Sequence, residues 1–137
     1  MGPYSTSNSP VADRLNKQTI VLLDDDESFR NALAENLRDD GYEVMEYATA
    51  REVPPLTALG EVGLVVTDYD MPGTNGLAFA DTFHAAYPNV PIIMVTGVCT
   101  KSLETQAAAR GFVCVLRKPI QYDQLQHLLY QTSGLGS

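Results

Sequence analysis

Short apolar runs alternate along the chain with longer stretches in which apolar residues recur every three or four positions. Five runs have the length of β-strands, and most are apolar at nearly every position, as in strands covered on both faces of a sheet. The five runs lie at 19–23 (TIVLL), 43–47 (EVMEY), 63–68 (GLVVTD), 91–96 (PIIMVT) and 112–116 (FVCVL). The second run contains two glutamates, so we expect that strand to be partly exposed.

The stretches between these runs have helical patterns. Phe29, Leu33 and Leu37 recur at intervals of four and predict a helix over 27–40, which a glycine ends. A second pattern, 48–60, is interrupted by two adjacent prolines and should be short or kinked, because proline lacks the N–H that a helix interior needs. Three more helices are expected at 77–87, at 101–110 and after Pro119.

The alternation of five strands with five helices predicts the fold class. It favours right-handed parallel crossovers and therefore an α/β protein with a doubly wound sheet. In such sheets, ligands bind beyond the carboxyl ends of the strands. The residues that follow the strands are therefore the candidates for a functional site.

Polar and charged residues stand at the ends of four predicted strands. Each has an ordinary structural explanation, such as a turn or an acidic helix start. Together they would supply carboxylates, a hydroxyl group and an ammonium group to one edge of the sheet, which suits a divalent cation and a phosphoryl group. These residues are Asp24, Asp25 and Asp26 after the first strand, Asp68 at the end of the third, Thr96 at the end of the fourth and Lys118 after the fifth.

The charges at this edge favour a bound metal. Asp24, Asp25 and Asp68 contribute −3 and Lys118 returns +1, which leaves −2. Two carboxylates about 4 Å apart repel each other by roughly 4 kcal/mol at an effective dielectric constant near 20. Mg²⁺, which binds one or two carboxylates together with waters and phosphate, would offset this repulsion. The sequence has no cluster of His and Cys for Zn²⁺.

Composition excludes several classes of function. The net charge of −8 and the pI near 4.5 argue against direct binding to nucleic acid or to an anionic membrane. No apolar stretch approaches the roughly 18 residues of a membrane-spanning helix. Cys99 and Cys114 fit no metal-binding spacing, and both are expected to be free thiols. We therefore expect a cytoplasmic protein.

The polar ends of the chain set the expected domain boundaries. Residues 1–17 are predicted to be a disordered tail or a cloning remnant, 18–131 a single domain, and 132–137 a C-terminal tail.

Four segments together resemble the receiver domain of two-component response regulators, over roughly 19–130. They are VLLDDDESFR (21–30), VVTDYDMPGTNG (65–76), IIMVTG (92–97) and LRKPI (116–120), and they occur in the order and spacing of that family. The resemblance implies a flavodoxin-like sheet with strand order 2-1-3-4-5 and five surrounding helices. It also implies a signalling module, not an enzyme acting on a separate substrate.

The resemblance also implies a role for each acid. Asp68 matches the residue that takes a phosphoryl group from a phosphohistidine on a histidine kinase or a histidine phosphotransfer protein. Asp25 matches the main acidic Mg²⁺ ligand, and Asp24 acts beside it directly or through water. Asp70 would give the metal its carbonyl oxygen, whereas Asp26 more simply begins the helix.

Two further matches concern the phosphoryl group itself. Thr96 matches the hydroxyl group that binds a phosphoryl oxygen, and Lys118 matches the ammonium group that pairs with phosphate. Gly97 would leave room for the phosphoryl group, and the bond before Pro119 is expected to be cis. Phosphorylation is expected to draw Thr96 and its loop toward Asp68 and to switch the surface around 101–110. An output domain outside this chain is a possible second partner.

The chain departs from the family at Val115, where an aromatic residue is usual, so the output mechanism is in doubt. A receiver-like interaction module that is no longer phosphorylated is therefore one alternative. Another is a Mg²⁺-dependent phosphatase with Asp68 as nucleophile and Asp70 as acid and base. Pro72 and the late position of this pair in the chain argue against the phosphatase.

Overall fold

Five parallel strands form one twisted sheet in a computed structural model that describes residues 19–135. The strands are β1 Thr19–Leu23, β2 Glu43–Tyr47, β3 Leu64–Thr67, β6 Ile92–Thr96 and β7 Cys114–Arg117; β4 and β5 form a separate hairpin described below. The order of the five strands across the sheet is β2-β1-β3-β6-β7. These strands are the first to fifth of the five predicted runs, so the sheet is doubly wound as the alternation predicted, and it has the flavodoxin-like order that the family resemblance implied.

Within the described residues 19–135, four α-helices cover the two faces of the sheet. They are α1 Glu27–Asp39, α2 Gly76–Ala86, α3 Lys101–Ala109 and α4 Tyr122–Leu135. Helices α1 and α4 contribute to one hydrophobic cluster, whereas α2 and α3 contribute to the other. Alternate residues of one strand enter opposite clusters, with Val21 and Leu23 on one face and Ile20 and Leu22 on the other.

Side-chain caps and glycines explain where the helices begin and end. Asp26, Asn75 and Thr100 are the N-caps of α1, α2 and α3, and each side-chain oxygen accepts a backbone N–H three residues on. Gly41 and Gly111, which follow α1 and α3, have φ of 98° and 83°, a region that glycine adopts without strain.

One of the five expected helices, the one over 48–60, does not form, so that prediction is wrong. This segment forms two single 3-10 turns, Ala50–Glu52 and Leu56–Ala58, on either side of the two prolines. The prolines lack the N–H groups that would continue a helix through the segment, so the expectation of an interrupted element is confirmed. Val53, Leu56 and Leu59 still pack against the core, so the segment covers the sheet without a regular helix.

Three further details differ from the expected elements. A small hairpin of β4 (Asp70–Met71) and β5 (Thr74–Asn75) lies between β3 and α2. The last strand begins two residues later than expected, at Cys114, because the N–H of Phe112 donates to the Ala107 carbonyl at the end of α3. Helix α4 continues into the segment 132–135, where a C-terminal tail is expected from the sequence.

The predicted N-terminal tail, 1–17, lies outside the described residues. Within 19–135, no helix has the length and apolar character needed to cross a membrane.

The tight contact of Gly76 with the backbone of Asp68 gives a test of this packing. A Cβ atom at Gly76 would lie 2.4 Å from the Asp68 carbonyl oxygen, so Gly76→Ala must displace the backbone. We expect it to lower the free energy of unfolding in urea by about 1–3 kcal/mol.

Gly97→Ala is the matched control, because a Cβ there would meet nothing within 4 Å. It should leave stability unchanged or raise it by up to about 1 kcal/mol. Equal destabilisation by the two substitutions would contradict the packing described at Gly76.

Candidate functional site

The parallel sheet brings the predicted residues to one edge through backbone hydrogen bonds. The Asp68 N–H donates to the Leu23 carbonyl at 2.9 Å, which places the residue after β3 beside the residue after β1. The Lys118 N–H donates to the Thr96 carbonyl at 2.8 Å, which joins the ends of β6 and β7. The Lys118–Pro119 peptide bond is cis, as expected.

Three carboxylates meet at this edge and form the acid cluster: Asp24, Asp25 and Asp68. One oxygen of each lies within 4.8 Å of the others. Asp24 and Asp68 are buried, with 1% and 7% of their surfaces exposed, whereas Asp25 faces solvent. The acid cluster therefore consists of two buried carboxylates and one carboxylate that is exposed to solvent.

The ammonium group of Lys118 lies between the two buried acids. Its Nζ is 2.7 Å from Asp24 Oδ2 and 3.4 Å from Asp68 Oδ2. It also lies 4.4 Å from the centre of the Phe29 ring, a cation–π contact from the first turn of α1. The single cation thus pairs with both buried carboxylates at once.

Burial and like charge determine the protonation of these groups. Burial raises the pKa of Asp24, and the charge of Asp68 adds to this, while hydrogen bonds from Lys118 and from the Asp26 N–H lower it. Burial acts to lower the pKa of Lys118, but Asp24 and Asp68 outweigh it, and the pKa is raised. Lys118 is therefore held in its charged form.

The oxygens of the acids are not equally free. Asp24 Oδ1 accepts the Asp26 N–H at 2.9 Å while its Oδ2 contacts Lys118, so both oxygens are engaged. Asp68 Oδ1 accepts the N–H of Tyr69 at 2.7 Å, a contact that sequence reasoning did not identify. No motif could have revealed it, since the donor is a backbone group.

Thr96 is 1% exposed and its hydroxyl oxygen accepts the Val98 N–H at 3.2 Å. The neighbouring Gly97 faces open space, because a Cβ there would have no heavy atom within 4 Å. The end of β6 therefore offers a hydroxyl group next to a gap, at the edge where Asp68 lies.

Among the expected metal ligands, Asp70 has its side chain outside the acid cluster. It is exposed and lies on β4, paired with Asn75 across the hairpin. An acid–base role for its carboxyl group is therefore not supported, which weakens the phosphatase alternative. The predicted role of its carbonyl oxygen is unaffected, because that role does not use the side chain.

The donor set of the acid cluster fits Mg²⁺. All three side chains offer hard oxygen ligands, and one ammonium group offsets only part of their charge. Both oxygens of Asp24 and both oxygens of Asp68 accept hydrogen bonds, although the contact of Asp68 Oδ2 with Lys118 is long, at 3.4 Å. Within residues 19–135, Asp25 therefore has the carboxylate most available to a metal, and Asp68 Oδ2 is the next most available.

Comparison with known proteins gives the family. The profile of the response regulator receiver domain matches residues 20–130. The C4-dicarboxylate transport transcriptional regulatory protein DctD of Rhizobium meliloti (strain 1021) is 33% identical over 107 residues, 78% of this chain and 23% of that protein. The chain spans about a quarter of the length of the curated relatives it matches.

Solved structures show the same fold. The chemotaxis response regulator CheY4 of Vibrio cholerae has a TM-score of 0.75 and 26% identity, covering 84% of this chain and 98% of that one. The non-phosphorylated HemR receiver domain of Leptospira biflexa has a TM-score of 0.76 and 24% identity, covering 85% and 94%. This chain belongs to the response regulator receiver domain family.

Removing the shared ammonium group should destabilise the fold in a pH-dependent way. Lys118→Met leaves the buried Asp24 carboxylate without its cation. We therefore expect the free energy of unfolding in urea at pH 7 to fall by roughly 3 kcal/mol. Without Lys118 the pKa of folded Asp24 rises further above its unfolded value. Protonation then relieves the penalty, and the loss should shrink as the pH falls toward about 4.5.

Lys101→Met is the matched control, because it also removes one lysine charge, but at an exposed position on α3. It should change stability by less than about 0.5 kcal/mol at either pH. A Lys118→Met loss that is small, or that grows on acidification, would contradict the assigned ion pairs.

Proposed function

We propose that this receiver domain accepts a phosphoryl group on Asp68 from a phosphohistidine of a histidine kinase or histidine phosphotransfer protein. One observation carries the proposal: a buried carboxylate at the end of β3 lies with two further acids and with Lys118 at a single edge of the sheet. Little other chemistry is required of the protein, because phosphoryl transfer depends on positioning and on cancellation of charge.

The side chain of Asp68 is oriented for attack. Its Oδ1 is held by the Tyr69 N–H, and its Oδ2 lies on the side of Lys118 and the other acids. In the transfer, one Asp68 oxygen forms a bond to phosphorus as the phosphorus–nitrogen bond of the donor breaks. The imidazole nitrogen keeps the electron pair of the broken bond.

Lys118 and Thr96 would receive the phosphoryl oxygens. The ammonium group of Lys118 is 3.4 Å from Asp68 Oδ2 and can pair with an added phosphoryl oxygen. The Thr96 hydroxyl group can donate to another, and the open space at Gly97 leaves room for the group. These contacts would replace part of the pairing that Lys118 now makes with the acids.

Asp25 and Asp68 would hold Mg²⁺ directly, Asp24 would act beside them directly or through water, and Asp70 would add its carbonyl oxygen. When bound, the metal would neutralise charge that develops on the phosphoryl oxygens. The support is the surplus of negative charge in the acid cluster, together with the exposed Asp25 carboxylate and the weakly held Oδ2 of Asp68, which lies 3.4 Å from Lys118 Nζ.

Phosphorylation would then change the surface near α3. The phosphoryl group carries nearly two negative charges in place of one. A Thr96 that turns toward it gives up the contact of its hydroxyl with the Val98 N–H, and so moves the loop that leads to α3. Val115 is half-buried and aligned with Met94 in the sheet. Because valine has no ring to rotate, this coupling would have to run through the loop after Thr96.

The domain would act as a signalling module that catalyses only its own phosphorylation and dephosphorylation. Its partners would be the phosphohistidine donor and an output domain outside this chain. The free thiols of Cys99 and Cys114 suit the reducing cytoplasm, where we place the protein.

Phosphorylation by a small acyl phosphate tests the acceptor. With Mg²⁺ present, intact-mass spectrometry should show one added phosphoryl group on the wild-type chain and none on Asp68→Asn. Asp26→Asn is the matched control, because asparagine is as good an N-cap as aspartate and the charge change is the same. Undiminished phosphorylation of Asp68→Asn would overturn the assignment.

Thermal unfolding tests the metal ligands. Millimolar Mg²⁺ should raise the melting temperature of the wild type, because the metal binds only the folded state. Asp25→Asn should abolish most of the rise, whereas Asp70→Asn retains its carbonyl oxygen and should keep it. The assignment of Asp25 fails if the two variants respond alike.

A further inference from the structure

Arg30 contacts the acid cluster from α1, and none of the roles assigned above uses it. We propose that Arg30 is a positioning residue: its guanidinium group fixes the peptide that joins Asp24 to Asp25 and so sets the two carboxylates for Mg²⁺. This inference rests on the proposed function, because it concerns the same metal site.

Arg30 makes two hydrogen bonds that only a guanidinium fork could make together. Its Nη1 donates to the Asp24 carbonyl oxygen at 2.8 Å, and its Nε donates to Glu46 Oε1 at 3.2 Å. The side chain is 14% exposed, so both contacts are shielded from water. A lysine has a single ammonium group on a flexible stem and cannot reproduce this planar geometry.

Glu46 anchors the fork to the sheet. It lies on β2, and its second oxygen accepts from Arg38 Nη1 at 2.9 Å. Arg38 in turn donates to the Val44 carbonyl at 2.8 Å. Arg38 therefore belongs to the same network but makes no contact with Asp24, and this makes it a matched control.

The Asp24 carbonyl belongs to the peptide group that leads from the end of β1 to Asp25. Strand β1 ends at Leu23, and the Asp24 N–H still donates to the Tyr47 carbonyl at 3.1 Å. The Asp24 carbonyl lies past the strand and accepts from Arg30 instead. Because a peptide group is planar, fixing this oxygen also fixes the Cα of Asp25.

Asp25 depends on this support more than its neighbours do. Within residues 19–135, Asp24 has contacts from the Asp26 N–H and Lys118, whereas the structure shows no hydrogen bond made by Asp25 itself. The hydrogen bond from Arg30 to the preceding carbonyl is what orients the exposed acid.

Charge and position predict opposite effects of removing Arg30. If Arg30 acted only as a nearby positive charge, its removal would leave the acid cluster more negative and Mg²⁺ would bind more tightly. If Arg30 positions the ligands, its removal weakens binding, as loss of an outer support of a metal site does. The sign of the change separates the two roles.

The experiment is a calorimetric Mg²⁺ titration of the wild-type chain, Arg30→Met and Arg38→Met, with urea unfolding measured in the absence of metal. We expect the Kd of Arg30→Met to rise about tenfold. Arg38→Met removes the same charge and also removes a contact with Glu46. Its Kd for Mg²⁺ should nevertheless stay within about twofold of the wild-type value. Arg30→Lys keeps the charge and one donor, so its Kd should rise by a smaller factor, about threefold.

The possible results separate this inference from the proposed function. Unchanged or tighter binding by Arg30→Met, or equal weakening by Arg38→Met, overturns the role of Arg30 and leaves the metal site intact. If Arg30→Met does not fold, the decision passes to Arg30→Lys, and wild-type affinity in that variant overturns the inference. A wild-type chain that binds no Mg²⁺ overturns the metal site and this inference together.

Discussion

The candidate site at the carboxyl end of the sheet, the functional edge, depends on one interaction: the pairing of a single ammonium group with two buried carboxylates. Lys118 Nζ lies 2.7 Å from Asp24 and 3.4 Å from Asp68, with the Phe29 ring beneath it. Oxygens of these two carboxylates lie within 4.8 Å of each other. Without a cation, such a pair would repel by roughly 3 kcal/mol at an effective dielectric constant near 20. Because Asp25 adds a third negative charge, one lysine does not satisfy the cluster, and the surplus is what makes a metal ion a favourable addition.

The fold supplies this arrangement through its topology. Asp24 and Asp68 follow neighbouring strands β1 and β3, and the Asp68 N–H donates to the Leu23 carbonyl, the last of β1, which brings the two acids side by side. Lys118 follows β7, at the far edge of the sheet, and reaches the acids with a long side chain. Helix α1 adds Phe29 and Arg30 from its first turn, so one helix supports both the cation and the acids.

The three central strands, β1, β3 and β6, could be predicted because they are buried on both faces and therefore apolar at nearly every position. Four of the five runs match their strands to within one residue, whereas the run FVCVL is displaced because Phe112 closes the end of α3 instead of joining the sheet. Hydrophobicity alone cannot separate these two uses of an apolar residue. The hairpin around Pro72 depends on local backbone pairing that leaves no periodic pattern.

The functional edge was predictable in its residues but not in its contacts. The four motifs identified the acids, Thr96 and Lys118, which the structure then places at one edge of the sheet. The sequence pattern places Phe29 only in the apolar stripe of α1. Arg30 ends the first motif, but its role could not be predicted, because its partners are a backbone carbonyl and a glutamate on another strand. Contacts of this kind depend on the packing of α1 against β2, which a sequence without coordinates does not describe.

A crystal structure with Mg²⁺ and beryllium trifluoride, a phosphoryl analogue, tests the central claim most directly. We expect the metal about 2.1 Å from oxygens of Asp25, Asp68 and the Asp70 carbonyl. We also expect the analogue on Asp68, in contact with Lys118 Nζ and Thr96 Oγ1. An analogue bound to another residue, or a metal that leaves Asp25 and Asp68 uncoordinated, would contradict the assigned site.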